Sequence, residues 1–523
     1  SGIGLETVLS LARDGYYTFA SMRNIGKAGE LEHAAKKENL PVEIIELDDQ
    51  SKLIAGNAIS AISYQGVEMQ KIGIRYGFIL LTDVNFSLTH MIAINSSSEA
   101  AISAVTQSST GNIMICGTFR NDLSINNENY GGSDGYNVFV AELSLNGEIK
   151  LLEILSSDED LLSFSVLGSE ESFTVSGQMW GAYTHSGSNS LFSSGLQDGF
   201  LAQFSNNQLQ SFRSIGGTYM DQVTGHISVD DKTVISGNFD REFSWGKDIY
   251  YEDGKASFIS KVNGDGAEGE ITILSGSGVV RSNCLLHNSV DNTFYLAGEF
   301  DGSISVGDHQ AVSTSGLDIF VARFNQDLTC ESLSGYGGEG TDRLTDFKMS
   351  NDGALFLSAT FTKRFNPLNS LDADMAGPGT YLAKLDPSTL HINDSFIPTE
   401  LGVSKIDTIS PIRENNILFT YTDEVSLNEN GINIGSLGAP RNQPGISQYL
   451  PQAISSNSFF TFPFTTGPWL HDSIIAEQNS SLPDWIHLRI NEDGSGSLSG
   501  QPPYSLQDII YNVSFELTNN RGE

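Results

Sequence analysis

The sequence predicts an all-β fold, a β-propeller of about sixty residues per blade over residues 51–438, followed by a small Ig-like β-sandwich over 439–523, with a short α/β segment over 1–50. Three observations carry that reading. Two short anchor motifs recur with one shared period, glycine is abundant while proline is scarce, and short apolar runs are separated by Gly, Asn and Asp turns.

The first anchor places Gly56, Gly117, Gly177, Gly237, Gly298 and Ala359 at steps of 61, 60, 60, 61 and 61 residues. A weaker seventh copy is Ile417-Leu-Phe-Thr-Tyr421. The second anchor is aromatic, at Phe78, Phe139, Phe200, Phe258, Phe320 and Tyr381, with steps of 61, 61, 58, 62 and 61. Each unit then reads as four strands: a first strand ending in a turn, a second with the glycine anchor, a polar alternating third such as Leu123-Ser-Ile125, and a fourth with the aromatic anchor. Small residues are expected on an inner strand so that neighbouring sheets approach, with Phe119, Phe239, Phe300 and Phe361 filling the gap between them. Seven second strands against six aromatic anchors point to seven blades, one incomplete; a six-bladed ring closed by strands from both termini is the alternative.

The composition, 53 Gly against 14 Pro in 523 residues, suits many tight turns rather than a disordered or collagen-like chain. The net charge of −36 repels nucleic acid and anionic membranes, whose binding depends on Lys and Arg neutralising phosphates. No apolar run is long enough to span a membrane. Cys116, Cys284 and Cys330 make neither a disulfide framework nor a zinc spacing and read as buried apolar residues. The chain opens at Ser1 and stops in mid-pattern at Glu523, which reads as one part of a longer multidomain chain.

Residues 51–438 resemble the SBBP-type repeats of bacterial secreted and surface proteins, through the Gly-x-Phe anchors, the run from Asp318 to Phe324 and the lead-in ending at Asp342. That likeness implies an extracellular or cell-surface location and a propeller that serves as a platform. The C-terminal part, with Leu482-Pro-Asp-Trp485 and the run from Gly496 to Pro502, resembles dystroglycan-type cadherin-like modules, which makes Trp485 a core anchor. At the front, Gly2-Ile-Gly4, a strand from Tyr17 to Met22, Arg23, an amphipathic stretch from Lys27 to Leu40 and a strand ending near Asp48 resemble the start of a short-chain dehydrogenase. That family's pyrophosphate-binding turn would precede Gly2, and we expect no nucleotide pocket at Gly2, Arg23 and Asp48. The strand from Val42 to Leu47 is expected either to dock on the propeller, supplying its missing edge strand, or to be loosely held. The dehydrogenase-like Tyr251-x-x-x-Lys255 is expected in a hairpin turning at Asp253-Gly254, away from the helix that such chemistry requires.

No residue is assigned a catalytic, cofactor-binding or metal-ligating role. Calcium enters only at Asn491-Glu-Asp493-Gly494, where a hairpin turn explains the same residues. The repeating Asp160, Asp221 and Asp342 are expected to hydrogen-bond loops, and Trp180, Tyr183 and His185 form a candidate carbohydrate-contact patch. The function expected is a secreted or cell-surface protein that binds a glycan or a protein. The alternatives are a propeller enzyme, a lyase or hydrolase of polysaccharide, and more remotely an NAD(P)-dependent oxidoreductase.

Overall fold

The computed structural model describes residues 52–396, apart from 364–377 and a few shorter stretches, together with the outlying strands named below. Every element among the described residues is a strand. Consecutive strands form small antiparallel sheets in a propeller-like succession, here called units. Unit 2 holds Ala100–Gln107, Ile113–Ile125, Glu128–Leu143 and Ile149–Leu155. Unit 3 holds Leu161–Ser169, Ser172–Met179, Asp198–Ser205 and Gln208–Ile215; unit 4 holds Gln222–Val229, Lys232–Trp245, Asp248–Val262 and Glu268–Leu274. Unit 5 holds Val280–Asn288, Thr293–Val306, His309–Phe324 and Cys330–Tyr336; unit 6 holds Asp342–Met349, Leu355–Phe361, Gly379–Leu385 and Ile392–Phe396. Three-stranded sheets flank these four-stranded ones. Unit 1 (Lys52–Ala58, Tyr76–Thr82, Leu88–Asn95) joins unit 2 through Ile94–Ile125 and Asn95–Ser124, and unit 7 is Val403–Arg413, Asn416–Asp423 and Asn433–Gly438.

The two periodic anchors of the sequence are cross-strand partners. Gly56 faces Phe78, Gly117 faces Phe139, Gly177 faces Phe200, Gly237 faces Phe258, Gly298 faces Phe320 and Ala359 faces Tyr381. This corrects the reason for the glycine. At Gly117, Gly177 and Gly237 an added Cβ would strike the ring of its own partner and a carbonyl of the first strand, that of Ala101, Leu162 or Gln222. Glycine is demanded within one sheet, where an aromatic ring folds over the bare backbone, rather than by the approach of two sheets.

The space between sheets belongs to the residue two places on. Phe119, Phe239, Phe300 and Phe361 are all buried. Phe119 packs with Ile79 and Ile102, Phe239 with Leu201 and Val223, Phe300 with Ile259 and Leu274, and Phe361 with Tyr295 and Val321, so each ring lies in a core shared by two successive units.

A second device ties the units. Each first strand from unit 2 to unit 6 carries a bulge opposite the glycine position, just after Ile102, Ser163, Val223, Ser282 and Leu344. A bulge frees backbone groups from the ladder. At three of the five bulges the preceding unit takes them up with the side chain that follows its glycine. Asn57 donates to the Ile102 carbonyl at 2.8 Å and accepts from its N–H at 2.6 Å; Asn238 does the same to Ser282 at 3.0 and 2.7 Å. The Glu299 carboxylate accepts from the N–H of Leu344 in the same place. Units 6 and 7 are tied by Asp346, which accepts from Thr408 Oγ1 at 2.6 Å and the Ile409 N–H at 3.0 Å.

The order of strands within a unit also differs from expectation. The polar run Leu123–Ile125 continues the second strand, the aromatic anchor lies on the third, and a fourth strand such as Ile149–Leu155 forms the outer edge. Tyr251 and Lys255 lie on one long strand whose hairpin turns between Trp245 and Asp248; Asp253-Gly254 sits in a break of register within it. Neither residue is on a helix. At the front, Thr18–Met22 and Val42–Glu46 are strands paired parallel to each other, so Val42–Glu46 does not supply an edge to unit 1. Gly2, Arg23 and Asp48 lie outside the described residues. At the back, Phe460–Thr465, Ser495–Gly500 and Ile486–Ile490 form one small antiparallel sheet, and Ile474–Glu477 pairs with Glu516–Asn519. Trp485 and Asn491 to Gly494 are outside the described residues.

Candidate functional site

Antiparallel order puts two kinds of connection at the same end of every sheet: the lead-in to the first strand and the hairpin between the second and third. This end gathers the chemically distinctive residues. Gly73, Gly135, Gly195 and Gly316 abut the backbone of the following lead-in so closely that no side chain fits there.

Beside these contacts lie buried carboxyls. Asp198 and Asp318 stand two residues before the aromatic anchors of units 3 and 5, and each accepts from a backbone N–H four residues earlier, Ser194 at 2.8 Å and Thr314 at 2.9 Å. Asp221 and Asp342 open the first strands of units 4 and 6 and accept from the N–H of Gly217 at 2.6 Å and Gly338 at 2.8 Å. The carboxyls of Asp318 and Asp342 are in side-chain hydrogen-bond contact, and those of Asp198 and Asp221 both border the place that a Cβ on Gly216 would take. Burial pushes Asp221 and Asp342 up to about 7 and Asp318 up to about 6, and it raises Asp198 as well. The neighbouring carboxylate adds to the rise at Asp221 and Asp342. Asp160 accepts from the N–H of Tyr136 at 2.8 Å across the joint between units 2 and 3, whereas Asp221 and Asp342 bond the lead-in before their own strands. Closed to solvent, the two Asp pairs offer no carboxylate to a substrate.

A cationic point lies nearby on the inner strands. Arg281 and Arg343 are the second residues of their first strands, in neighbouring units, and the Glu299 carboxylate lies between them. Arg343 approaches Glu299 at 3.4 Å and stays more than half exposed. Burial raises Glu299, and the two guanidinium groups pull it back down.

The three candidate contact residues do not form one patch. Tyr183 is 4% exposed and stacks on Phe212 with centroids 4.1 Å apart; burial pushes its hydroxyl up to about 12. It is a core residue. Trp180 is half-buried, its backbone N–H donating to the Asp160 carbonyl at 3.0 Å, and His185 lies outside the described residues. The same end presents apolar side chains that the sequence reading passed over: Phe192 and Leu196 at 66% exposure each, Tyr251 at 69% and Val312 at 76%. No clear signal for them stood in the sequence, because the same stretches between anchors also carry core residues such as Phe243, Trp245 and Ile304.

Among the described residues no group of three or more His, Cys, Asp and Glu is placed to hold a metal ion, and no helix is long and apolar enough to cross a membrane. No protein-family model and no curated protein matches the chain. Among solved structures the chain is similar to a subtype N10 neuraminidase-like protein of A/little yellow-shouldered bat/Guatemala/060/2010, at 11% identity and a TM-score of 0.31, over 64% of this chain and 92% of that one.

Proposed function

We propose that this chain is a secreted or cell-surface binding protein in which seven units, residues 51–438, close into a propeller whose loop end receives a glycan or a protein. The observation that carries the reading is the set of exposed apolar side chains on that end, Phe192, Leu196, Tyr251 and Val312. Exposed aromatic rings beside polar backbone suit the stacking of a sugar face or the anchoring of a peptide. Trp180 extends the patch, and Arg281 with Arg343 supplies a point for a negatively charged group on the ligand. The small sheets after residue 439 are assigned to an Ig-like, cadherin-like module, and the front 50 residues to a dehydrogenase-like remnant without a cofactor.

The test is a glycan array probed with the full chain, alongside Tyr251→Ala and Phe192→Ala. Retention of a defined glycan by the parent and its loss in both variants supports the reading. Silence on every glycan removes the glycan ligand, and unchanged binding in both variants removes this surface.

A further inference from the structure

We propose that the joints Asp198–Asp221 and Asp318–Asp342 each hold one proton between their two carboxyls, so that the seams between units 3 and 4 and between units 5 and 6 are tighter in mildly acid than in mildly alkaline solution. All four residues are at most 3% exposed. Each commits Oδ2 to a backbone N–H; the Asp240 N–H also acts on Asp221, and the Gly195 N–H and Ser194 hydroxyl on Asp198, yet each Oδ1 is left without a donor in hydrogen-bond geometry. In the Asp318–Asp342 joint the carboxyls touch, so two acceptors meet with nothing to donate between them.

Two bare carboxylates in contact and out of water repel strongly, and neither is hydrated. The remedy must be a positive group or a proton. The other charged groups that act on the pairs are acidic, Asp240 on Asp221 and Asp301 on Asp318, and they add to the repulsion. The hydroxyl of Ser214 donates to Asp198 Oδ2 and leaves Oδ1 as it was. A single proton converts each pair of acceptors into one donor and one acceptor. Other joints of the same succession serve as controls. The slot of Asp198 and Asp318 is filled by Asn137 in unit 2, whose amide donates to Ser133 and Gly135 carbonyls, and by Ala256 in unit 4. Neither joint leaves a buried aspartate oxygen without a donor.

The direction of the linkage follows from the raised carboxyls, at about 6 for Asp318 and about 7 for Asp221 and Asp342, against roughly 3.9 in an unfolded chain. A carboxyl raised by folding contributes stability that is complete below the unfolded value and is lost as pH rises through the folded one. The loss therefore runs from about pH 4, where the unfolded chain gives up its proton, to between about pH 6 and about pH 7, where the folded chain gives up the shared one.

The experiment compares thermal unfolding of the full chain with that of the double variant Asp221→Asn, Asp342→Asn from about pH 5.5 to about pH 8. The amide supplies a permanent donor in place of the proton. The parent is expected to lose several degrees of Tm across the range and the variant much less. An equal loss in both overturns the proposal. Infrared difference spectra of the parent with carbon-13-labelled aspartate give a second readout should the variant fail to fold. A protonated-carboxyl band present at the acid end and gone at the alkaline end supports the shared proton, and its absence throughout overturns it. Calcium chloride and chelator arms at the alkaline end test the competing occupant. A Tm that rises with calcium in the parent and not in the variant means the pairs hold a cation, which also overturns the proposal.

Discussion

Asn238 grips Ser282 of the next unit by both ends of its backbone, donating to its carbonyl at 3.0 Å and accepting from its N–H at 2.7 Å. The same Oδ1 accepts from Ser257 Oγ at 2.6 Å, and the whole cluster is buried. Asn238→Ala leaves the Ser282 carbonyl without that donor in a dry interior. The expected cost is about 2–3 kcal/mol in a urea titration, with an unchanged slope. A change within the noise of the titration would mean that water takes over the role.

Gly117 and Ala359 occupy equivalent positions under different partners, Phe139 and Tyr381. Gly117→Ala is expected to cost about 3 kcal/mol, because the methyl meets the Ala101 carbonyl as well as the ring. Ala359→Gly is expected to cost only about 1 kcal/mol, the difference in backbone entropy. Equal costs at the two sites would remove the crowding explanation.

His226 is buried against Ser176, with Nδ1 2.9 Å from Oγ, and burial pushes its imidazole down to about 4. The sign is opposite to that of the aspartate pairs. Below about pH 6.5 the unfolded chain takes a proton that the folded chain refuses, so stability falls from there toward about pH 4, by roughly 3 kcal/mol in all. His226→Gln is expected to flatten this acid limb in chemical denaturation series. An identical limb in the variant would assign it to other groups.

Cys116 and Cys284 are pushed up to about 12 by burial, and Cys330 up to about 11. A thiol reacts as its thiolate. The folded chain is therefore expected to resist alkylation at about pH 8, and all 3 cysteines to react in denaturant, as read by intact mass. Prompt labelling of the native chain would place a thiol at an open surface.

The period of the fold was legible because a glycine anchor and an aromatic anchor recur in step with one another. Their mutual contact was not, since Gly117 and Phe139 become partners only when two strands pair across a hairpin. The outer strand Ile149–Leu155 escaped notice because it carries no anchor and buries only Leu151 and Leu155, four residues apart. Asp221 and Asp342 stood out as recurring acids, while Asp198 and Asp318, hidden within the aromatic anchor motif, did not. What joins each pair is the neighbouring unit, and no local spacing encodes it. Tyr183 reads as a surface aromatic in an unusual stretch, yet Phe212, from the outer strand that went unread, buries it.

The bulged peptide and the side chain that grips it belong to different units, at Asn57 and Ile102 as at Asn238 and Ser282. Units 1, 4 and 5 thus each hold out a hand to a handle on the unit that follows. A gene that duplicates a unit such as unit 5, which carries both the gripped Ser282 and the gripping Glu299, therefore adds a hand and a handle together. Repeat number can drift in descent without any joint being reinvented, provided that the last hand still finds the first handle.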